Sequence, residues 1–156
     1  MDIKLNSKIE EMKKVFGILA IGLIAMSFMT SSDKIKSQDE QGIKFKSISL
    51  ADAKKQALKN EKYIFIDAYT SWCGPCKRMA ATSFKNPEVG ELFNEKFINL
   101  KIDVEQDADG SELARMYKVR AYPTLLIIDG DGKLIKQVVG FQTEDRLLAL
   151  ASSVGN

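Results

Sequence analysis

The chain has no histidine, two cysteines, three prolines and one tryptophan among its 156 residues. With no histidine and a single cysteine pair, it cannot assemble the four Cys or His ligands of a structural zinc site. Charge of one sign is scarce as well. Twenty-three Lys and Arg against 21 Asp and Glu leave a formal net charge of +2, which gives no electrostatic reason to expect a nucleic-acid partner. Internal repeats and low-complexity tracts are lacking, and no metal, flavin or nucleotide signature stands out, so no cofactor is expected. What is there is a globular mixture, 45% hydrophobic and 28% charged, enough for one core. The length allows one ordinary domain with an appendage.

Long hydrophobic runs are lacking too, with one exception. Residues 15–29 carry no charge, follow Lys13 and Lys14, and precede Thr30-Ser31-Ser32. A basic start, an apolar run and small residues are the layout of an export signal. Fifteen residues fall short of the ~20 that comfortably span a bilayer. A buried core helix is the alternative, but the polar stretches on either side supply it with no partner. Residues 1–32 are therefore expected to be an export signal or anchor, with Met12-Lys13-Lys14 a natural start and cleavage before Asp33. No cysteine directly follows the run, which excludes attachment through a lipidated N-terminal cysteine. The expected location is exported, periplasmic or membrane-anchored facing the periplasm. Residues 33–42 are polar and read as a linker, and residues 43–156 as the folded domain.

Both cysteines fall in one stretch, Trp72-Cys73-Gly74-Pro75-Cys76-Lys77. Upstream, residues 63–68 form an apolar, β-branched and aromatic run that reads as a buried strand. Downstream, from about Pro75, Met79, Ala80 and Phe84 suit a helix. The pair thus sits where a strand hands over to a helix N-terminus, whose unpaired N–H groups and dipole favour negative charge. A thiolate at Cys73 would be stabilised there, its pKa drawn down from about 8.5 toward ~7 or lower. A structural staple is the bland alternative, but the stabilisation it gives scales with loop length and this loop is nearly minimal. Redox chemistry is the stronger reading.

The rest of the chain supplies an α/β frame. Residues 44–48 alternate and suggest a short first strand. Ser49, with Asp52 three residues on, reads as a helix N-cap. Leu50, Ala53, Ala57 and Leu58 form one apolar face of that helix, which Asn60 suits as an ending. The 63–68 strand is apolar on both faces apart from Asp67, so it belongs in the middle of a sheet covered on both sides. Asn86-Pro87-Glu88 restarts a helix, and residues 97–103 alternate as a strand. Residues 109–117 read as a short helix. Strands at 124–129 and 134–139 are joined by Gly130-Asp131-Gly132-Lys133, a hairpin signal. Thr143 is placed to cap a last helix. The predicted order is β-α-β-α-β-α-β-β-α, a mixed sheet with helices on both faces.

At this point a resemblance becomes plain. Trp72-Cys-Gly-Pro-Cys76 resembles the active site of the thioredoxin family, and three distant features fall in step. Asp67 lies six residues before Cys73, where the family carries a buried acidic residue. Val119-Arg-Ala-Tyr-Pro123-Thr-Leu is similar to its cis-proline segment, and Gly140 matches a family glycine. The resemblance covers roughly residues 43–154. Thr82-Ser83-Phe84-Lys-Asn-Pro87-Glu-Val89 and Ile127-Ile-Asp129-Gly-Asp-Gly132 look most like the exported thioredoxin-like domain of membrane thiol:disulfide interchange proteins.

The resemblance implies a thioredoxin-like fold and a set of roles. Cys73, the more exposed sulfur, would be the nucleophile and Cys76 the resolving thiol. Asp67 would be a buried carboxyl of raised pKa that exchanges a proton with Cys76. Gly74-Pro75 resembles the dipeptide of reducing members. Tyr122-Pro123 would be cis, with the Tyr122 backbone free to pair with an extended substrate segment. Trp72 is either a packing residue or part of the rim that substrates touch. Two departures stand out. The family lysine near the buried acid aligns with Asn99, and whether Lys101, two residues on, replaces it is open. Ala81 stands where a helix-kinking proline is common, which predicts a straighter helix.

The function expected is an exported thiol:disulfide oxidoreductase that reduces protein disulfides through Cys73 and Cys76. It would act as a monomer, regenerated by a membrane or soluble electron donor. A disulfide oxidase or isomerase is the alternative in the same class, since exported space is oxidising. A binding or chaperone module without turnover is the alternative from another class.

Overall fold

A computed structural model of the chain describes residues 41–155. The expected export signal and most of the expected linker lie outside the described residues.

The elements are α1 (Leu50–Asn60), β1 (Tyr63–Tyr69), α2 (Gly74–Ala81), a 3₁₀ turn (Ser83–Lys85), α3 (Pro87–Lys96), β2 (Phe97–Asp103), α4 (Gly110–Met116), β3 (Thr124–Ile128), β4 (Leu134–Val139) and α5 (Glu144–Ser152). The strands form one sheet in the order β2-β1-β3-β4. β1 pairs β2 in parallel and β3 antiparallel, and β3 pairs β4 antiparallel, so the sheet is mixed. The predicted central strand is indeed an inner one.

Alternation along β1 feeds two cores. Ile64, Ile66 and Ala68 pack with Ile98, Leu100, Leu126 and Ile128 beneath Ala53 and Ala57 of α1 and Leu113 of α4. On the other face Phe65 packs with Leu125 and Ile127 beneath Met79 of α2, Val89 and Phe93 of α3, and Leu147 and Leu150 of α5. Helices therefore cover both faces, as the α/β reading requires.

Most helix signals do what their residues suggest. The Ser49 hydroxyl oxygen accepts the Asp52 N–H at 3.1 Å. Asn86 Oδ1 accepts from the N–H groups of Glu88 and Val89, with Pro87 in the first turn. In the β3–β4 turn, Asp129 Oδ1 accepts from the N–H groups of Asp131 and Lys133, and Gly132 takes φ +91°, a backbone that favours glycine. Asn60 is the last residue of α1, but the left-handed ending falls on Glu61 at φ 53°.

Three local expectations fail. Residues 44–48 form no strand. The segment is tied first to other elements: Ile43 N–H donates to Phe84 O, Lys44 N–H to Asn94 Oδ1, and Asn94 Nδ2 to Gly42 O. Its one bond to the sheet edge runs from Lys46 N–H to Asn99 O, and Ser49 already begins the cap of α1. Thr143 occupies the N-cap position of α5, yet its side chain makes no capping bond. Nor does the helix after the cysteines run on straight through Ala81. It stops there, because Thr82 leaves helical backbone at φ −123°, ψ −88° and its hydroxyl donates back to Arg78 O at 2.9 Å.

Candidate active site

The β1–α2 junction carries the dithiol. Cys73 is the N-cap of α2, in extended backbone at φ −70°, ψ 110°, and Pro75 lies in the first turn. The two sulfurs are joined, with S–S 2.02 Å and Cα–Cα 5.3 Å. Cys73 Sγ also accepts the Cys76 backbone N–H at 3.1 Å, so one of the helix's otherwise unpaired donors already points at this sulfur. Exposure does not separate the two as the sequence suggested: Cys73 is 3% exposed and Cys76 1%. What distinguishes them in the oxidised form is the N-cap position. Between them Gly74 has helical backbone, and a Cβ placed on it would meet nothing within 4 Å.

The rim comes from two loops. Trp72 is 64% exposed and so is not a core packing residue. Its ring meets that of Tyr122 edge to face at 5.9 Å, and its indole N–H donates to Glu105 Oε2 at 3.0 Å. The Tyr122–Pro123 bond is cis, as the resemblance implied. Pro123 O accepts the Gly140 N–H at 2.7 Å, with Gly140 at φ +90°, so the matched glycine supports the proline turn directly. Among the described residues neither backbone group of Tyr122 hydrogen-bonds to protein.

The strand that leads into the dithiol carries a buried acid. Asp67 is 0% exposed on β1. Strand register places Lys101 of β2 opposite it, and Lys101 Nζ reaches Oδ2 at 3.1 Å. Asn99, two residues earlier, stands opposite Phe65 and spends its amide on Phe93 O and Asn94 Oδ1. The lysine's place is therefore filled by Lys101, not Asn99. The contact is an ion pair without hydrogen-bond alignment, since neither Asp67 oxygen accepts a well-directed hydrogen bond. Burial pushes the Asp67 carboxyl above its ordinary range, and the Lys101 charge only partly opposes this. Burial also raises Tyr69, helped by the charges of Asp103, Asp107 and Asp67.

Glu105 and Tyr69 carried no sequence signal as site residues. Glu105 lies in a loop and reaches Trp72 across 33 positions, whereas Tyr69 reads only as the end of a strand.

A cysteine pair closed as a disulfide at a helix N-terminus, on a mixed sheet covered by helices on both faces, gives the chain a thioredoxin-like fold. Comparison with known proteins agrees. The family model described as a thioredoxin-like domain matches residues 50–155, and the chain belongs to that family. Thioredoxin-2 of Pyricularia oryzae is 36% identical over 102 residues, covering 64% of this chain and 53% of that protein, so the chain matches about half the length of that relative. The solution structure of a candidate disulphide-isomerase from Bacteroides thetaiotaomicron is 38% identical, with TM-score 0.64, covering 74% of this chain and 98% of that one. The C-terminal domain of DsbD from Neisseria meningitidis, in its reduced form, is 26% identical with TM-score 0.56, covering 67% and 92%.

Proposed function

We propose that this protein is an exported reductant of protein disulfides. The Cys73 thiolate attacks one sulfur of a client disulfide, forming a mixed disulfide and releasing the first client thiolate. Cys76 then attacks Cys73 Sγ, forming the Cys73–Cys76 disulfide and releasing the second client thiolate. Two electrons pass to the client, and a membrane or soluble donor of two electrons restores the dithiol. Asp67 takes the proton from Cys76 as that thiol becomes the attacking group. Trp72 and Tyr122 form the apolar rim, and the free backbone of Tyr122 beside cis-Pro123 pairs with an extended client segment. Gly74 and Pro75 keep the first turn narrow beneath it. The protein works as a monomer without cofactor, and residues 1–32 direct it out of the cytoplasm.

The observation that carries this reading is the Cys73 sulfur seated on the Cys76 N–H at the start of α2, the geometry that stabilises a thiolate at that position. The likeness to the Bacteroides protein supports a second reading, net isomerase activity, through the same two thiols. The reduction potential separates the two. A thioredoxin-like reductant lies near about −270 mV and a disulfide isomerase near about −180 mV. A value at the isomerase end overturns the reducing direction, and failure to equilibrate with glutathione at all overturns the enzyme.

A further inference from the structure

The segment before α1 forms no strand, yet it is pinned closely. A Cβ added to Gly90 of α3 would come within 2.0 Å of Gln41 O, and one on Gly42 within 2.4 Å of Phe84 O. Hydrogen bonds from Ile43, Lys44 and Lys46 hold the backbone on both sides of Phe45. This anchoring presents one side chain. The Phe45 ring packs against Phe84 edge to face at 5.3 Å and lies 6.3 Å from Phe65.

Lys101 lies at the meeting point. Its Nζ is 4.4 Å from the ring centre of Tyr69, and 5.9 Å from those of both Phe45 and Phe84. All three distances are within the ~6 Å at which a ring face attracts a cation. Phe45, Ala80, Phe84 and Lys101 are among the residues that line a cavity of about 210 Å³. The rings come from three separate elements, and among the described residues the ion-pair partner of the ammonium is Asp67 Oδ2 at 3.1 Å.

We propose that Phe45, Tyr69 and Phe84 form an aromatic cage that holds the Lys101 ammonium on the Asp67 carboxylate, making Phe45 a positioning residue of the redox site supplied from outside the sheet. The cage limits the rotamers of a long side chain that is otherwise a quarter exposed. The inference rests on the reading of Asp67 as the proton partner of Cys76. The other charged and titratable groups nearby are few. Tyr69 itself feels Asp103, Asp107 and Asp67, and Lys85 lines the cavity. Lys44 and Lys46 flank Phe45 on the exposed side of the segment. On α2, Lys77 is exposed and Arg78 lies over the Phe141 ring, while β3 contributes the apolar Leu125 opposite Asp67.

The test compares pH–rate profiles for insulin reduction by the full-length chain and its Phe45→Leu, Phe45→Tyr, Asp67→Asn and Phe45→Leu/Asp67→Asn variants, with dithiothreitol as reductant, from pH 5 to 9. Leucine keeps the apolar cover but removes the ring, so the cation leaves Asp67 more often and the ionised carboxylate loses support. The inflection due to Asp67 should then move upward by about half a pH unit. Phe45→Tyr, which keeps the ring, should superimpose on the wild type. In the Asp67→Asn background the leucine change should shift nothing. A Phe45→Leu profile identical to wild type, with Asp67→Asn altered, overturns the cage and leaves the catalytic reading standing. An Asp67→Asn profile that keeps the wild-type inflection removes Asp67 from the reaction and the cage proposal with it. If Phe45→Leu does not fold, reductive methylation of the wild type decides: Lys101 should react roughly fivefold more slowly than exposed Lys44 and Lys59, and equal rates overturn the cage.

Discussion

Replacing Asp67 by asparagine should make the protein more stable at neutral pH and leave it unchanged in acid. The carboxyl is wholly buried, its one charged partner is Lys101 at 3.1 Å, and neither oxygen accepts a well-directed hydrogen bond. Burial therefore holds it above the ordinary carboxyl value of 3.8 in the folded state. A carboxyl raised in this way takes up a proton on folding. Below pH 3.8 it is protonated in both states and adds no pH-dependent term. Between 3.8 and the raised folded value the unfolded chain gives up a proton that the native state keeps, so stability falls as pH rises; above the folded value both states are ionised and the loss is constant. Asparagine keeps the shape and removes the charge. Lys101, left without its partner, is 26% exposed and can be hydrated, so little of the usual penalty for orphaning a buried cation applies. The expected gain is about 1–2 kcal/mol at pH 8, or roughly 4–8 °C in Tm for a domain of this size. Melting the oxidised wild type and variant at pH 3, 5 and 8 checks it. A variant less stable at pH 8, or a difference that does not grow with pH, refutes the reasoning.

The same substitution should slow disulfide exchange by roughly 10²-fold at neutral pH, read as initial rates of insulin reduction. Cys76→Ser should accumulate mixed disulfides with client proteins on non-reducing gels while Cys73→Ser accumulates few, and equal trapping would reverse or remove the assigned roles. Gly90→Ala should lower stability by about 2–3 kcal/mol, because the added methyl meets the backbone of residues 41 and 42 rather than a side chain that can move; chemical denaturation measures this. Ile21→Arg together with Leu23→Arg should hold the protein in the cytoplasm on fractionation, and unchanged export would end the signal reading.

Much of this architecture was legible because its residues carry their instructions locally. The residue 63–68 run could only be an inner strand, the Gly130-Asp131-Gly132 turn fixed the hairpin, and Asn86-Pro87 announced α3. The dithiol needed no tertiary information, since six consecutive residues place both sulfurs at a helix start. What stayed hidden depends on register and long-range approach. Resemblance along the chain aligned the family lysine with Asn99 and left open whether Lys101 replaces it, whereas parallel pairing of β1 with β2 puts Lys101 opposite Asp67. Alternation at residues 44–48 looked like a strand because it reports which side chains are buried, not whether the backbone finds a partner. Phe45 is half-buried, but its segment hydrogen-bonds mainly to the 3₁₀ turn and α3.

The open space at Gly74 bears on how such a protein changes over generations. Most positions near a buried reactive group are committed twice, once to packing and once to chemistry, so drift in one disturbs the other. Here the backbone between the thiols is ordinary helix, and a Cβ at Gly74 would meet nothing within 4 Å. An alanine methyl therefore fits there without displacing a neighbour. Folding thus exerts no veto at this position. A small substitution at Gly74 is therefore judged by what it does to the thiols on either side and not by packing.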